Sequence, residues 1–235
     1  MLSIIIPTKN EGKYLGLLLK SIKNQSFKNF EIIVADANSK DNTKEIAKKY
    51  GCKIVKGGMP WTGRNNGAKI AEGDFFVFID ADVVLPEKNF VENCLKEISE
   101  RNLDVAGVLL KPRIDKKKHL LFFYKLIYSF LNFLMKISQN SKSPLMQNCM
   151  FSKKNIYTKI NGFDETLVYA EDSDYARRAV NKIHAKFGII NKKIYVSTRR
   201  LEEKGFKLIF KVIYMAILRN FKELRKKNSK IRYFD

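Results

Sequence analysis

Two short acidic stretches carry residue types from which chemistry can be built. Asp80-Ala81-Asp82 directly follows the apolar run Phe75-Phe76-Val77-Phe78-Ile79, and Ala170-Glu171-Asp172-Ser173-Asp174 leads into Tyr175-Ala176-Arg177-Arg178. Two carboxylates leaving one buried strand repel each other unless a cation or a hydrogen-bond donor stands nearby. Hard divalent ions such as Mg²⁺ and Mn²⁺ take oxygen ligands and often complete their shell with phosphate oxygens, which Asp80 and Asp82 would suit. An isolated Asp-x-Asp is equally an ordinary pair of solvated turn residues. The second cluster has its own plain alternative, because acids in the first turn of a helix favour the dipole.

Acids this far apart in sequence meet only if regular elements bring their ends together. Leu2 to Pro7 reads as a short buried strand that the proline stops. Glu11 to Asn24 follows a helical pattern through Leu15, Leu18, Leu19 and Ile22. Phe30 to Ala35 is a second strand running into Asp36, and Asp41 stands as N-cap of a helix over 44–50. Ile54-Val55 makes a brief third strand, Gly63 to Glu72 a glycine-bounded helix, and Phe75 to Ile79 a fourth strand. Leu103 to Leu110 is another. Alternating strands and helices predict an α/β fold, a mostly parallel sheet flanked by helices. Ligands of such sheets bind beyond the carboxyl ends of the strands, here after Pro7, Ala35 and Ile79.

The chain has 235 residues, enough for one α/β domain with a sizeable core. Lys and Arg outnumber Asp and Glu 45 to 24, a formal charge of +21, so an anionic partner is expected: phosphate groups, nucleic acid or a membrane face. Cys52, Cys94 and Cys149 lie far apart with no metal-ligand spacing and read as reduced thiols of a cytoplasmic protein. Met1 runs straight into a strand-like segment, so no secretory leader is expected.

Segments 119–137 and 206–221 are rich in aromatic and aliphatic residues and are bracketed by Lys and Arg. In the first, Lys125, Ser129 and Asn132 make a narrow polar stripe, which fits an amphipathic helix lying in a membrane interface better than one crossing it. Packing on the sheet and a dimer contact are the alternatives. The tail over 225–232 is basic and reads as frayed.

The motifs also have an order. SIIIPTKNE over 3–11, EIIVADANSKDNT over 31–43, Gly63-Arg64-Asn65-Asn66-Gly67-Ala68, Asp80-Ala81-Asp82, Asn161-Gly162-Phe163-Asp164-Glu165 and the Glu171-Asp172 pair follow one another along the chain. This series resembles family 2 glycosyltransferases with the GT-A fold, over residues 1–200, leaving 201–235 as a basic amphipathic extension. The resemblance implies a Rossmann-like domain that transfers a sugar from a nucleotide-diphosphate donor, a UDP- or GDP-sugar, by an inverting, metal-dependent route. It places Pro7, Thr8, Asn10 and Glu11 near the base or ribose and Asp36 on the base. It puts Arg64, in a glycine-flanked turn, near the diphosphate. Asp80 would face the ribose or sugar, and Asp82 would ligate Mn²⁺ or Mg²⁺. Asp172 would be the catalytic base, with Glu171 shaping the acceptor site.

One departure stands out. Where many relatives carry a late histidine ligand, this chain reads Val196-Ser197-Thr198-Arg199-Arg200. Arg199 and Arg200 would contact the diphosphate or a phosphorylated acceptor, or be a surface basic pair. His119 and His184 read as structural, and Trp61 either stacks on a sugar or packs. The acceptor implied is a glycan or a polyprenyl-phosphate-type lipid at the inner face of the cell membrane. A nucleic-acid-binding protein is the first competing reading, although acids at strand ends would repel a polyphosphate backbone. A catalytically silent membrane-associated scaffold of the same fold is the second.

Overall fold

The computed structural model describes residues 1–167 and 169–204. Their centre is an eight-stranded sheet in the order β3-β2-β1-β4-β7-β6-β8-β5. β1 (Leu2–Thr8) lies between β2 (Phe30–Asp36) and β4 (Phe75–Ile79), parallel to both, and β3 (Lys53–Lys56) extends the parallel half. A strand paired on both sides with covered faces must be apolar throughout, and Ile4, Ile5, Ile6, Ile33 and Val34 are buried accordingly. Proline does not stop β1, as the sequence had suggested. β4 leaves β1 after Ile5, so Pro7 lies past that ladder and stays paired with Ala35 of β2.

The second half is mixed. β7 (Cys149–Lys153) runs antiparallel between β4 and β6 (Val105–Arg113). β6 in turn pairs in parallel with β8 (Phe187–Ser197), and the short β5 (Val83–Val84) closes the edge antiparallel to β8. Four of these seven pairings are parallel. β1, β2 and β4 therefore deliver Thr8, Asp36 and Asp80 to the same edge of the sheet.

Helices α1 (Gly12–Lys23), α2 (Thr43–Lys49), α3 (Pro60–Ile70) and α4 (Phe90–Glu100) cover the sheet. Asn42, not Asp41, is the N-cap of α2; Asp41 instead accepts hydrogen bonds from the backbone N–H groups of Gly12 and Thr43, tying the start of α1 to that of α2. α3 starts three residues before Gly63, with Pro60 in its first turn, where a missing N–H costs nothing. Arg64 thus stands on a helix rather than in a turn. Gly67 lets that helix press onto β1: a Cβ there would sit 2.5 Å from Ile5 Cγ2.

A short 3-10 turn over Lys118–Leu120 precedes α5 (Leu121–Ser138). Asn132 is not part of an outward polar stripe. Beyond Gly107, β6 has no partner on its β7 side, and the Asn132 amide supplies the missing ladder: Leu110 N–H donates to Oδ1 and Nδ2 donates to the Leu110 carbonyl, both at 2.8 Å. Tyr124, Tyr128 and Met135 are buried on the same side, while Leu121, Phe122, Leu126, Phe130, Phe133 and Ile137 face outward. After α6 (Lys154–Lys159) come α7 (Glu171–Ile183) and α8 (Arg199–Lys204). His184 caps α7 in a left-handed conformation. The segment 206–221 and the tail over 225–232 lie outside the described residues.

Candidate active site

Arg64 organises the first half of the site. Its guanidinium is buried and forks between three carboxylates. Nη2 stands 2.7 Å from Asp80 Oδ1, and Nη1 stands 2.7 Å from Glu171 Oε1 and 3.3 Å from Asp172 Oδ1. The ring of Phe163 lies 5.4 Å from the guanidinium carbon. Four segments meet here: α3, the end of β4, the loop before α7, and α7 itself. Ala170 turns the chain into α7 with φ of 60, a left-handed conformation that costs an alanine about 1 kcal/mol and lets both Glu171 and Asp172 reach Arg64.

The electrostatics follow from that fork. Burial alone would lower the Arg64 pKa, but Asp172, Asp80 and Glu171 outweigh it and hold the group above the ordinary arginine value. Burial pushes Asp172 up to about 7; Arg64 and a backbone N–H of Asn148 pull it down, while the Glu171 and Asp80 charges push it further up. A carboxyl balanced near neutrality can hold or release a proton at little cost.

The second half of the site surrounds Asp82. Its carboxylate is buried, and burial pushes its pKa up to about 6; Asp80 and Glu11 add to the rise, and Arg200 and Arg199 oppose it. Among the described residues no hydrogen-bond donor reaches that carboxylate, and its ion-pair partner is Arg199, with Nη2 3.9 Å from Oδ2. The same Nη2 lies 2.8 Å from Glu11 Oε1, and Glu11 Oε2 is buried without a hydrogen-bond partner. Arg199 stacks 4.3 Å over the ring of Tyr14, which also faces Arg113 at 5.4 Å. Two undersatisfied carboxylates side by side suit a hard divalent cation. Among the described residues, however, no three acidic, histidine or cysteine side chains group around one point. Glu11 and Asp82 therefore fit part of a metal shell whose remaining ligands must be phosphate oxygens and water.

The first two strand-end loops knit together beside these clusters. Asp36 is almost wholly buried, its carboxylate engaged by Thr8 Oγ1 at 3.4 Å, the Ser39 N–H at 3.0 Å and Lys44 Nζ at 3.4 Å. Asn10, at φ of 54, donates its N–H to Ser39 Oγ and accepts from the Lys40 N–H. Pro7 and Ala35 pack against the start of α3 at Gly63. Pro7, Thr8, Asn10 and Asp36 thus gather where the first two strand-end loops meet, whereas Glu11 points towards Asp82 and Arg199. Asp80, Arg64, Glu171 and Asp172 form one cluster, and Asp82, Glu11 and Arg199 with Arg200 nearby form the other, coupled through the charges of Asp80 and Asp82. Trp61 is completely buried and packs in the core.

Sequence reasoning missed several supports. Asn148, in a left-handed conformation before β7, donates from Nδ2 to Asp80 Oδ2 at 3.1 Å, and its backbone N–H pulls the Asp172 pKa down, so it acts on both acidic motifs. Asn65, next to Arg64, grips the N–H and carbonyl of Phe163 with its amide and so fixes the loop that feeds α7. Tyr14 and Arg113 were equally silent. Only an asparagine just before an apolar strand, as at Gln147-Asn148-Cys149, offered any signal, and a weak one.

The comparisons with known proteins agree with the fold. The profile described as glycosyl transferase family 2 matches residues 3–158, which include Asp36, Arg64, Asp80 and Asp82 and end before Glu171. An uncharacterized glycosyltransferase of Rickettsia typhi is 32% identical over 182 residues, covering 74% of this chain and 57% of its own length. Staphylococcus aureus TarS 1-349 in complex with UDP-GlcNAc superposes with a TM-score of 0.64 at 21% identity, over 99% of this chain and 68% of that one. The mannosyltransferase PcManGT of Pyrobaculum calidifontis, in complex with GDP-Man and Mn²⁺, gives a TM-score of 0.66 at 16% identity, over 83% and 56%. This chain thus spans little more than half the length of the Rickettsia relative. Motif order, fold and sequence match converge: the chain belongs to glycosyl transferase family 2.

Proposed function

We propose that the protein is an inverting, metal-assisted glycosyltransferase that moves a sugar from a UDP- or GDP-sugar to an acceptor hydroxyl. The observation that carries this reading is the convergence of Asp80, Glu171 and Asp172 on buried Arg64, beside Asp82 and at the carboxyl edge of the parallel strands. In this reading Asp172 takes the proton of the acceptor hydroxyl as its oxygen bonds to the anomeric carbon, and the bond to the diphosphate breaks on the opposite face. Arg64 fixes the angle of that carboxyl, and Glu171 shares the fork and lines the acceptor side. Asp36 and Thr8 shape the nucleotide end. Glu11 and Asp82 would hold a divalent cation, which as a Lewis acid neutralises charge on the departing nucleoside diphosphate. The nucleotide sugars in the neighbouring structures support the donor class, and Mn²⁺ in one of them supports the cation.

The membrane side of the reading rests on α5. By length and composition it is the one helix among the described residues that qualifies to cross a membrane. Asn132 fastens it to β6, so the helix lies along the body of the protein with an apolar outer face. That arrangement supports work on the inner face of the cell membrane, on a lipid-linked acceptor.

Calorimetric titration with UDP and GDP, with and without Mn²⁺, tests the donor class. Asp172→Asn should keep donor binding and lose transfer; transfer that survives removes Asp172 as the base. Tight, salt-steep binding of DNA or RNA with no affinity for nucleotide sugars would favour the nucleic-acid reading.

A further inference from the structure

At the end of β8 the chain sets a cation of its own beside the candidate metal ligands. Arg199 directly follows β8 and Thr198, yet it reaches back to the first loop of the protein to pair with Glu11 at 2.8 Å. One nitrogen of its guanidinium faces both candidate metal ligands, Glu11 Oε1 and, at 3.9 Å, Asp82 Oδ2. The planar group is held from beneath by the Tyr14 ring at 4.3 Å, close to contact for a cation on an aromatic face. The Asp82 side chain is more than nine-tenths buried and, among the described residues, accepts no hydrogen bond. Glu11 Oε2 is also buried and unpartnered. Both carboxylates therefore keep unused capacity for a cation, while Arg199 fills only part of it.

We propose that Arg199 is a resident cation in the metal seat: it holds Glu11 and Asp82 while no donor is bound and yields them when a nucleoside diphosphate arrives with its metal. The inference rests on the transferase reading and adds an order of binding to it. A divalent ion entering alone would meet only two carboxylates, both facing a guanidinium, and would have to sit against the charges of Arg199 and Arg200. The shell would remain incomplete, since no third ligating side chain joins it among the described residues. A diphosphate changes both conditions. Its oxygens complete the shell of the ion, and they give the freed guanidinium a better partner, because guanidinium groups pair with phosphate through two parallel hydrogen bonds. Metal and nucleotide then bind as a linked pair, each raising the affinity of the other by the same factor.

The test is direct Mn²⁺ binding, followed by the electron paramagnetic resonance of free Mn²⁺, on the whole chain with and without UDP or GDP. Wild type should bind Mn²⁺ weakly alone and at least about tenfold more tightly with the nucleotide. Arg199→Met keeps the stem over Tyr14 but removes the charge. It should bind Mn²⁺ alone about tenfold more tightly than wild type, with a correspondingly smaller nucleotide effect. Mn²⁺ affinity unchanged in Arg199→Met overturns the proposal. So does nucleotide binding that is equally tight in EDTA, which would mean that Arg199 replaces the metal altogether. Should Arg199→Met not fold, Glu11→Gln decides the matter. Its Mn²⁺ affinity with nucleotide present must fall about tenfold, and an unchanged value overturns the shared seat. Failure of every nucleoside diphosphate to bind, with metal present, sinks the transferase reading itself; normal linked binding with an unaltered Arg199→Met sinks only the role of Arg199.

Discussion

The Asp172 carboxyl faces one guanidinium and two other carboxylates, and burial tips the balance towards its protonated form. With its pKa pushed from 3.8 up to about 7, the native state holds a proton that the unfolded chain releases from pH 4 upward. The native state therefore binds more protons between about pH 4 and 7, and stability contributed by this group falls as pH rises through that window. Transfer needs the ionised form, so its rate should climb with pH up to about 7 and level off above. Asp172→Asn should abolish transfer, flatten that part of the stability profile and raise unfolding free energy at pH 8 by on the order of 2 kcal/mol. A variant less stable than wild type at pH 8 would show that Arg64 gains more from Asp172 than burial costs. Arg64→Met gives the converse. It leaves Asp80, Glu171 and Asp172 facing one another without a cation, and breaking buried pairs of this kind costs about 3–5 kcal/mol. Because those carboxyls can recover part of the loss by taking up protons, the destabilisation measured in urea should be larger at pH 8 than at pH 5.

At the scale of elements, the site depends on how α3 and α5 are fastened. Asn132 stands in for a neighbouring strand along β6, and Leu110, whose N–H and carbonyl it satisfies, is itself buried. Asn132→Ala strips partners from two buried backbone groups, each worth about 1–3 kcal/mol when left unpaired. Chemical denaturation should show a loss near the top of that range, whereas an exposed polar residue such as Ser129 replaced by Ala should change stability by less than about 0.5 kcal/mol. An Asn132→Ala variant as stable as wild type would mean that water can take over the ladder. Asn132 also shows what the sequence can and cannot display. The periodicity that marks 119–137 as one amphipathic helix is local, and in the structure the helix runs over Leu121–Ser138. Which of its polar residues turns inward depends on where β6 runs out of strand partners, a fact written nowhere near residue 132. The same division holds in the site. Asp80, Asp82, Glu171 and Asp172 announce themselves as acids at element ends. Arg64 is audible only through the glycines around it, and the fork it makes, like the bridge from Asn148 and the stacking of Arg199 on Tyr14, exists only once the sheet has closed. The left-handed Ala170 carries no residue-type signal at all.

The whole molecule carries +21 formal charges, and among the described residues α5 presents a long apolar face with lysines beside it. Phe122, Leu126, Phe130, Phe133 and Ile137 project outward from successive turns, with Phe122 81% exposed, and Lys116, Lys117, Lys125 and Lys136 stand along or just before the helix. An apolar face of this kind is worth about 25 cal/mol per Å² once covered. Each lysine adds roughly 1 kcal/mol close to an anionic surface. The inner face of α5 feels the charge of the site: the Tyr128 hydroxyl is pushed above its ordinary pKa first by burial and then by the charges of Asp82 and Asp115. A bilayer lying on the outer face would therefore be separated from the candidate metal seat by at least the thickness of α5, roughly 10 Å. A lipid-linked acceptor could bridge that gap without leaving the membrane. Flotation with vesicles containing anionic phospholipid should carry the protein upward, and neutral vesicles should carry much less. Raising the salt should weaken binding without abolishing it, because screening acts on the lysines and not on the buried rings. Leu126→Glu with Phe130→Glu should remove the salt-resistant part while leaving UDP or GDP binding unchanged, since neither side chain touches the crevice clusters. Protein that ignores both kinds of vesicle, or floats equally with the double variant, would mean that this face is covered by something other than lipid.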